Sequence, residues 1–434
     1  MTLLLVQSWK NYLEKYRNII GTNKLANLLT KHHRLFLNGG WVLGLNLARQ
    51  LLGLVLIAVL VRVFNKESFG QYQFVVASLG TASIFALTGM QNAITQSVAR
   101  GFDGTFRVSI TVVFLSSLLG SLVLVGLAIQ QWYADQSALF VALLVAAGLF
   151  PFSIALQNWI SYQSGKEQFR QNAIYQSIGY AASYLLTISV VLMMPAPNYL
   201  VVILVTNGVM AIQNVWNTYR IYQTIPKDAP VEAGAITYGL KTSLYGAVNI
   251  VGNYMDKFLL FFLVSPETLA VFIIAERIPE LLKNYLQAVR NVLVPEFARK
   301  AAFTKSMDRK LNLASLLISA GVIFLALAVI PWFIPFAFTN AYDDAVFYCQ
   351  LLLGSLIVGQ AATTKFTYII SQFDSRSYRD VVIGTNIVRI VASLIFVPMF
   401  GIYGAIGSVI LYRVGTAAFV SISMRKFHVE NDGS

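Results

Sequence analysis

What most constrains this chain is a run of long apolar stretches, each about 20 residues or more, separated by short polar turns. A helix needs about 20 apolar residues to cross the hydrocarbon core of a bilayer. About twelve such stretches fall near 36–62, 70–97, 108–130, 137–161, 171–194, 199–221, 237–263, 269–294, 311–332, 345–370, 380–399 and 403–424. Lipid offers no partner for a free backbone N–H or C=O, so the spanning element is a helix or a closed barrel. Barrels show short alternating strands, which are not seen here. The expected fold class is therefore an all-α polytopic membrane protein with about twelve transmembrane helices.

Composition agrees. Of 434 residues, 57% are hydrophobic and only 12% charged, and the mean hydropathy is +0.65. Soluble domains carry about 25% charged residues. A soluble enzyme, a nucleic-acid-binding domain and a disordered scaffold are all disfavoured. The net charge of +13 comes from 32 basic and 19 acidic residues, and its placement explains it. Basic residues gather at Lys10–Arg34, Arg100, Arg107, Lys166, Arg170, Lys227, Arg299–Lys310, Arg376, Arg379, Arg425 and Lys426. The alternate loops hold only Lys66, with Arg62 at an edge. By the positive-inside rule, both termini are expected in the cytoplasm. The charge therefore needs no nucleic-acid partner. The single cysteine, Cys349, excludes an intramolecular disulfide, and His32, His33 and His428 lie near the ends, so no histidine–metal centre is expected in the membrane. The start, MTLLLVQSWK, lacks the basic n-region of a cleavable signal peptide.

The spans divide six and six. The turn Glu67-Ser68-Phe69-Gly70-Gln71-Tyr72 has a counterpart 200 residues on, Glu267-Thr268-Leu269-Ala270-Val271-Phe272. Six spans is an even number, so the halves are expected to be parallel repeats with a substrate site between them. The expected organisation is a basic N-terminal segment over 1–35, either amphipathic on the membrane surface or an irregular tail. A first lobe over 36–222, a linker over 223–236, a second lobe over 237–424 and a tail over 425–434 follow.

Polar residues inside spans mark the interior, because a charge facing lipid is costly. On span 8, Glu276, Arg277, Glu280, Lys283, Asn284, Gln287, Arg290 and Asn291 share one helical face, with three bases against two acids. This face either lines a cavity or packs as a polar seam. Span 1 gives a stripe of Asn38, Asn46, Arg49, Gln50 and Gly53, with Arg49 near mid-depth. Span 7 gives Lys241, Thr242, Tyr245, Asn249, Gly252, Asn253 and Asp256, and span 2 a milder one with Thr81, Thr88, Asn92 and Thr95. Arg389 and Arg413, in spans 11 and 12, either line the cavity or pair locally. The Asp256–Lys257 pair lies level with Arg277 and reads either as an ion-pair staple between spans 7 and 8 or as a coupled gate. Spans 1–6 hold no acid within the membrane. A cavity rich in Arg and Lys suits an anionic substrate, since guanidinium pairs well with phosphate. No G-x-x-x-x-G-K-[ST] loop, catalytic triad or metal-ligand cluster is present, so no enzymatic activity and no cofactor are expected.

Val61-Arg62-Val63-Phe64-Asn65-Lys66-Glu67-Ser68-Phe69-Gly70-Gln71-Tyr72 resembles the first turn of polysaccharide exporters. Leu87-Thr88-Gly89-Met90 through Ala99-Arg100, and Asn253-Tyr254-Met255-Asp256-Lys257, resemble their second and seventh spans. The chain thus resembles the Wzx-type oligosaccharide flippases of the MOP exporter superfamily, which also holds MATE transporters and lipid II flippases. The resemblance implies two six-helix lobes around a cationic cavity. It implies movement of an undecaprenyl-pyrophosphate-linked oligosaccharide across a bacterial cytoplasmic (inner) membrane for surface polysaccharide such as O-antigen. It further implies partnership with a glycan polymerase and export machinery. The substrate-contacting set expected on position and charge is Arg49, Lys241, Arg277, Lys283, Arg290, Arg389, Asn46, Asn249 and Asn253, with Asp256, Lys257 and Glu280 at a coupling gate. Coupling to protons, sodium or membrane potential stays open.

The alternatives are distinguishable. A MATE-like cation antiporter wants acids in the first lobe, which are missing. A major-facilitator transporter wants a G-x-x-x-D-R-x-G-R-like loop after span 2, where ARGFDGTFR stands. A membrane glycosyltransferase wants a substantial external loop.

Overall fold

The computed structural model describes residues 33–298, 305–361, 365–366, 369 and 375–431. The expected N-terminal segment therefore lies almost wholly outside the described residues, as do the side chains of the tail from 425 onward. Among the described residues every regular element is helical. They are α1 (His33–Val63), α2 (Lys66–Ala82), α3 (Met90–Ala99), α4 (Gly104–Tyr133), α5 (Ser137–Ser153), α6 (Trp159–Gly165), α7 (Phe169–Met193), α8 (Tyr199–Thr224), α9 (Ala235–Leu263), α10 (Pro266–Ala298), α11 (Lys305–Phe338), α12 (Asp344–Ala361), α13 (Ser375–Phe400) and α14 (Ile402–Asn431).

Eight of the described helical stretches are long and apolar enough to cross a membrane, and α2 with α3 makes a ninth, bent by 49°. With α9, α10 and α12 the described residues form twelve long helical runs, the number the sequence suggested. α9 and α10 miss the apolar threshold because they carry Lys241, Asp256 and Lys257, and Glu276, Arg277, Glu280 and Lys283. The charges that weaken them as lipid-facing spans are the ones that build the interior. Span 2, expected as one helix over 70–97, is two. Leu87 takes a left-handed φ of 49° and Gly89 follows, so the ladder breaks before Met90. Pro151 similarly precedes the break between α5 and α6.

The first six traversals pack mainly on each other, α1 on α7, α4 on α5, and α8 on α5 and α7. The last six do likewise, α13 on α14 and α9, and α12 on α10, α11 and α14. The lobes meet where α2 crosses α10 and α9, and where α3 crosses α9. Asn65 caps α2 by accepting from the Ser68 N–H at 2.8 Å. That fixes the chain entry at the end of the bundle where the lobes close most tightly.

That closure, at the end holding the α1–α2 and α9–α10 turns, is built from rings and backbone. Phe74 stacks on Phe261 with centroids 3.9 Å apart. Phe69 meets Tyr342 edge-on. Arg62 donates to the carbonyls of Ala337 at 2.7 Å and Phe336 at 2.5 Å, in the last turn of α11, where a cation is favoured by the helix dipole. At the opposite end the linker after α8 is fastened to the α3–α4 turn. Gly104 N–H donates to the Pro230 carbonyl at 3.0 Å and Arg107 to the Ile225 carbonyl at 2.6 Å. Nearer mid-depth, Gly89 N–H donates to Ser243 Oγ at 3.0 Å, so the break in span 2 docks directly on α9.

Candidate functional site

Between the lobes lie two adjoining cavities, of about 260 Å³ and 330 Å³. Gln73, Val76, Arg277 and Glu280 line both, so they form one chamber with a waist. α10 supplies its spine, because Glu276, Arg277, Glu280, Lys283 and Asn284 all face it. The described part of that polar face lines the cavity and is also partly a seam, Glu276 pairing across to Lys257 of α9; the side chains of Gln287, Arg290 and Asn291 lie outside the described residues.

The first cavity also takes Asn253, Lys257, Arg389 and Arg413. Four charges at its roof form a closed network. Arg389 donates to Asp256 Oδ2 at 2.7 Å and to Asn253 Oδ1 at 2.7 Å. Lys257 Nζ lies 2.8 Å from Glu276 Oε2. The cross-distances are 3.9 Å for Lys257 to Asp256 and 4.0 Å for Arg389 to Glu276. Asp256 is fully buried and Arg389 nearly so. Buried charges survive only when paired and hydrogen-bonded, and this quartet neutralises itself while tying α9, α10 and α13 together. Arg277 pairs more loosely with Glu280, at 3.7 Å on the same helix.

Three of the chamber's cations form no ion pair among the described residues: Arg49, Lys283 and Arg413. Arg413 spends donors on the Leu352 carbonyl and Ser355 Oγ, which satisfies hydrogen bonds without cancelling charge. Arg49 lines the second cavity, donates to Gln176 Oε1 at 3.3 Å and stacks over the Tyr180 ring at 4.7 Å. Gln50, Tyr72, Tyr184 and Asn284 share its wall. Gln50 Oε1 and Arg277 Nε are buried with no partner. The chamber thus carries an excess of positive charge, hydrogen-bonding amides and tyrosine faces. It can hold an anion and polar rings.

The expected residues divide. Arg49, Arg277, Lys283, Arg389, Asn253, Lys257 and Glu280 line the chamber, and Asp256 stands directly behind it. Asn249 lies one turn from Asn253, in contact at 3.4 Å. Asn46 is half-buried on α1 and Lys241 exposed near the start of α9; neither lines either cavity. The side chain of Arg290 lies outside the described residues. Arg413, Glu276 and the tyrosines Tyr72, Tyr184, Tyr254 and Tyr412 are the additions. Arg413 carried a signal, a lone charge deep in an apolar span. The tyrosines did not, because an aromatic in a membrane helix faces lipid as readily as an interior.

At the end opposite the tight closure, Glu232 accepts from Ser97 Oγ at 2.6 Å and Arg100 at 2.5 Å, while its own N–H donates to Thr105 Oγ1 at 3.0 Å. The Ser97 hydrogen bond, and then the Arg100 guanidinium, hold its carboxyl below the usual carboxylate range.

Comparison with known proteins follows this architecture. The family model described as "Polysaccharide biosynthesis protein" matches residues 35–301. The structure is similar to that of the lipid II flippase MurJ in an inward closed conformation, with TM-score 0.68, 12% identity, and coverage of 88% of this chain and 87% of that one. It is similar to an inward-facing multidrug resistance MATE family transporter of the MOP superfamily, with TM-score 0.63, 16% identity and coverage of 89% and 96%. It is also similar to a MOP superfamily transporter from Pyrococcus furiosus, with TM-score 0.57, 15% identity and coverage of 92% and 94%. At these identities the likeness establishes the fold: two helical lobes of the MOP transporter type. No curated protein shows significant similarity in sequence.

Proposed function

Since the chain belongs to the polysaccharide biosynthesis protein family, we propose that it is a flippase. It carries an undecaprenyl-pyrophosphate-linked oligosaccharide from the cytoplasmic to the outer leaflet of a bacterial cytoplasmic membrane. The observation that carries this reading is the chamber in which Arg49, Lys283 and Arg413 form no ion pair among the described residues, while Glu276 and Glu280 are paired with other cations. Uncompensated cations inside a membrane are costly and are retained where an anion is to be bound. A pyrophosphate supplies that anion, amides and tyrosines suit sugar hydroxyls and ring faces, and the lipid tail stays in the bilayer. A cation antiporter is disfavoured, because the chamber's acids are engaged with Lys257, Arg277 and Arg389.

In this reading the tight closure is the outer gate, which leaves the chamber to load from the cytoplasmic side. Both termini face the cytoplasm, as the basic loops require. The lobes, joined near 223–236, rock about the docked break of span 2. Asp256, Lys257 and Glu276 act first as a roof that keeps α9, α10 and α13 in register, and they bear on coupling only if the quartet opens.

The test is reconstitution in liposomes with a fluorescent undecaprenyl-pyrophosphate-linked oligosaccharide, its transbilayer movement followed with an outer-leaflet quencher. Movement that depends on Lys283 and Arg413 supports the reading. Absence of movement across a panel of glycans, with intact protein in the bilayer, overturns it.

A further inference from the structure

The three unpaired cations do not sit together. Lys283 and Arg413 line only the first cavity, and Arg49 lines only the second. Between them, at the waist, stands Glu280, held 3.7 Å from Arg277 and lining both. Arg277 lines both cavities as well and pairs with Glu280, so the waist is close to neutral and the unpaired positive charge stands on either side of it. The chamber therefore offers two anion sites. Their surroundings differ too: the first is framed by Lys257, Glu276, Arg389 and Tyr412, while the second sets Tyr72, Tyr184, Gln50 and Asn284 among aliphatic side chains such as Leu54, Ile57 and Leu281, with Tyr180 under the Arg49 guanidinium. An amide and tyrosine wall is the lining of a sugar subsite, and a guanidinium within it matches a carboxylate, which it can grip with two parallel N–H donors.

We infer that the glycan this protein carries contains an acidic sugar, its carboxylate taken by Arg49 while Lys283 and Arg413 hold the pyrophosphate. The inference rests on the flippase reading above and narrows its substrate class. Charge balance leads to the same assignment. Each phosphoryl unit of a pyrophosphate diester carries about one negative charge at neutral pH. Lys283 and Arg413 balance that pair, and Arg49 would stay uncompensated with a neutral glycan.

The experiment uses the full chain in liposomes with two matched fluorescent undecaprenyl-pyrophosphate disaccharides, one ending in glucose and the other in glucuronic acid. Wild type is expected to move the glucuronic substrate with a kcat/KM about tenfold or more above the glucose one, the difference lying mainly in KM, as one added charged hydrogen-bond pair predicts. Arg49→Gln is expected to collapse that ratio about tenfold and Arg49→Lys to restore part of it. Lys283→Gln lowers both substrates and leaves the ratio in place. Equal handling of the two substrates by wild type, or a ratio unmoved by Arg49→Gln, overturns the acidic-sugar inference and leaves the flippase standing. Movement of neither substrate overturns the acidic-sugar inference, and the flippase reading falls with it only if the wider glycan panel also fails to move.

Discussion

Gly70 of α2 lies against Pro266 at the start of α10 so closely that an added Cβ would overlap the Pro266 carbonyl oxygen. The two residues lie beside the corresponding turns of the two lobes, so this close approach at the closed end is made by the repeat itself. Alanine is about 1 kcal/mol better than glycine in a helix interior, so Gly70→Ala does not weaken α2. It pushes the lobes apart instead. We expect Gly70→Ala to widen the closed end, seen as a longer distance between spin labels at exposed position 67 and half-buried position 267, and to slow transport at least about tenfold. An unchanged distance would remove this contact from the gate.

The Arg389–Asp256 pair is a different kind of contact, inside one lobe and shielded from water. Removing one member of a buried pair leaves a desolvated charge and costs about 3–5 kcal/mol. Arg389→Gln is therefore expected to lower the thermal midpoint of the purified protein sharply. The double change Asp256→Asn with Arg389→Gln removes both charges and should recover most of the loss. A double-mutant cycle with no coupling would show that the pair holds nothing together.

Much of this was legible in the chain. Spans are set by length and hydropathy, properties of consecutive residues, and the stripe on α10 follows from helical period alone. The Arg49 and Lys283 side chains lie in the chamber because nothing else accommodates a charge at that depth. Which charges neutralise each other was only partly legible. Lys257 beside Asp256 did suggest a staple between spans 7 and 8, but Arg389 looked the same in sequence as Lys283 and Arg413, yet it is locked to Asp256 while the others form no ion pair among the described residues. Pairing is a property of α9, α10 and α13 brought together over more than a hundred residues, and it has no local signature. The break at Leu87 was hidden for a similar reason. Its left-handed residue is leucine, with Gly89 two positions on, and docking on Ser243 decides the outcome.

Glu232 gives the linker's tether to the α3–α4 turn a pH dependence with a definite sign. Ser97 and Arg100 depress its folded pKa below the ordinary glutamate value of 4.5. The tether's contribution is then full above about pH 4.5 and is lost as pH falls through the depressed folded value. Protease cleavage within residues 223–234, measured against pH, should stay flat through neutrality and rise only in the acid range. Glu232→Gln should raise cleavage at neutral pH and flatten the profile. A wild-type profile that rises already between pH 7 and 6 would assign the titration to another group.

Lys283 and Arg389 should respond to loss of charge in opposite directions, which tests the division between structural and functional cations. Lys283 stands about 25 Å along α10 from Pro266 at 1.5 Å per residue, half-buried and forming no ion pair among the described residues. Its ammonium is partly desolvated, and the nearby Glu276 and Glu280 are engaged with Lys257 and Arg277. Lys283→Met keeps the stem's length and apolar contacts and deletes that burden. The variant is expected to gain about 1 kcal/mol in stability, read as a raised thermal midpoint, while transport falls about tenfold or more. Gain in stability with loss of function is the mark of a residue kept for its ligand. A fall in both would place Lys283 with the quartet, as part of what holds the lobe together.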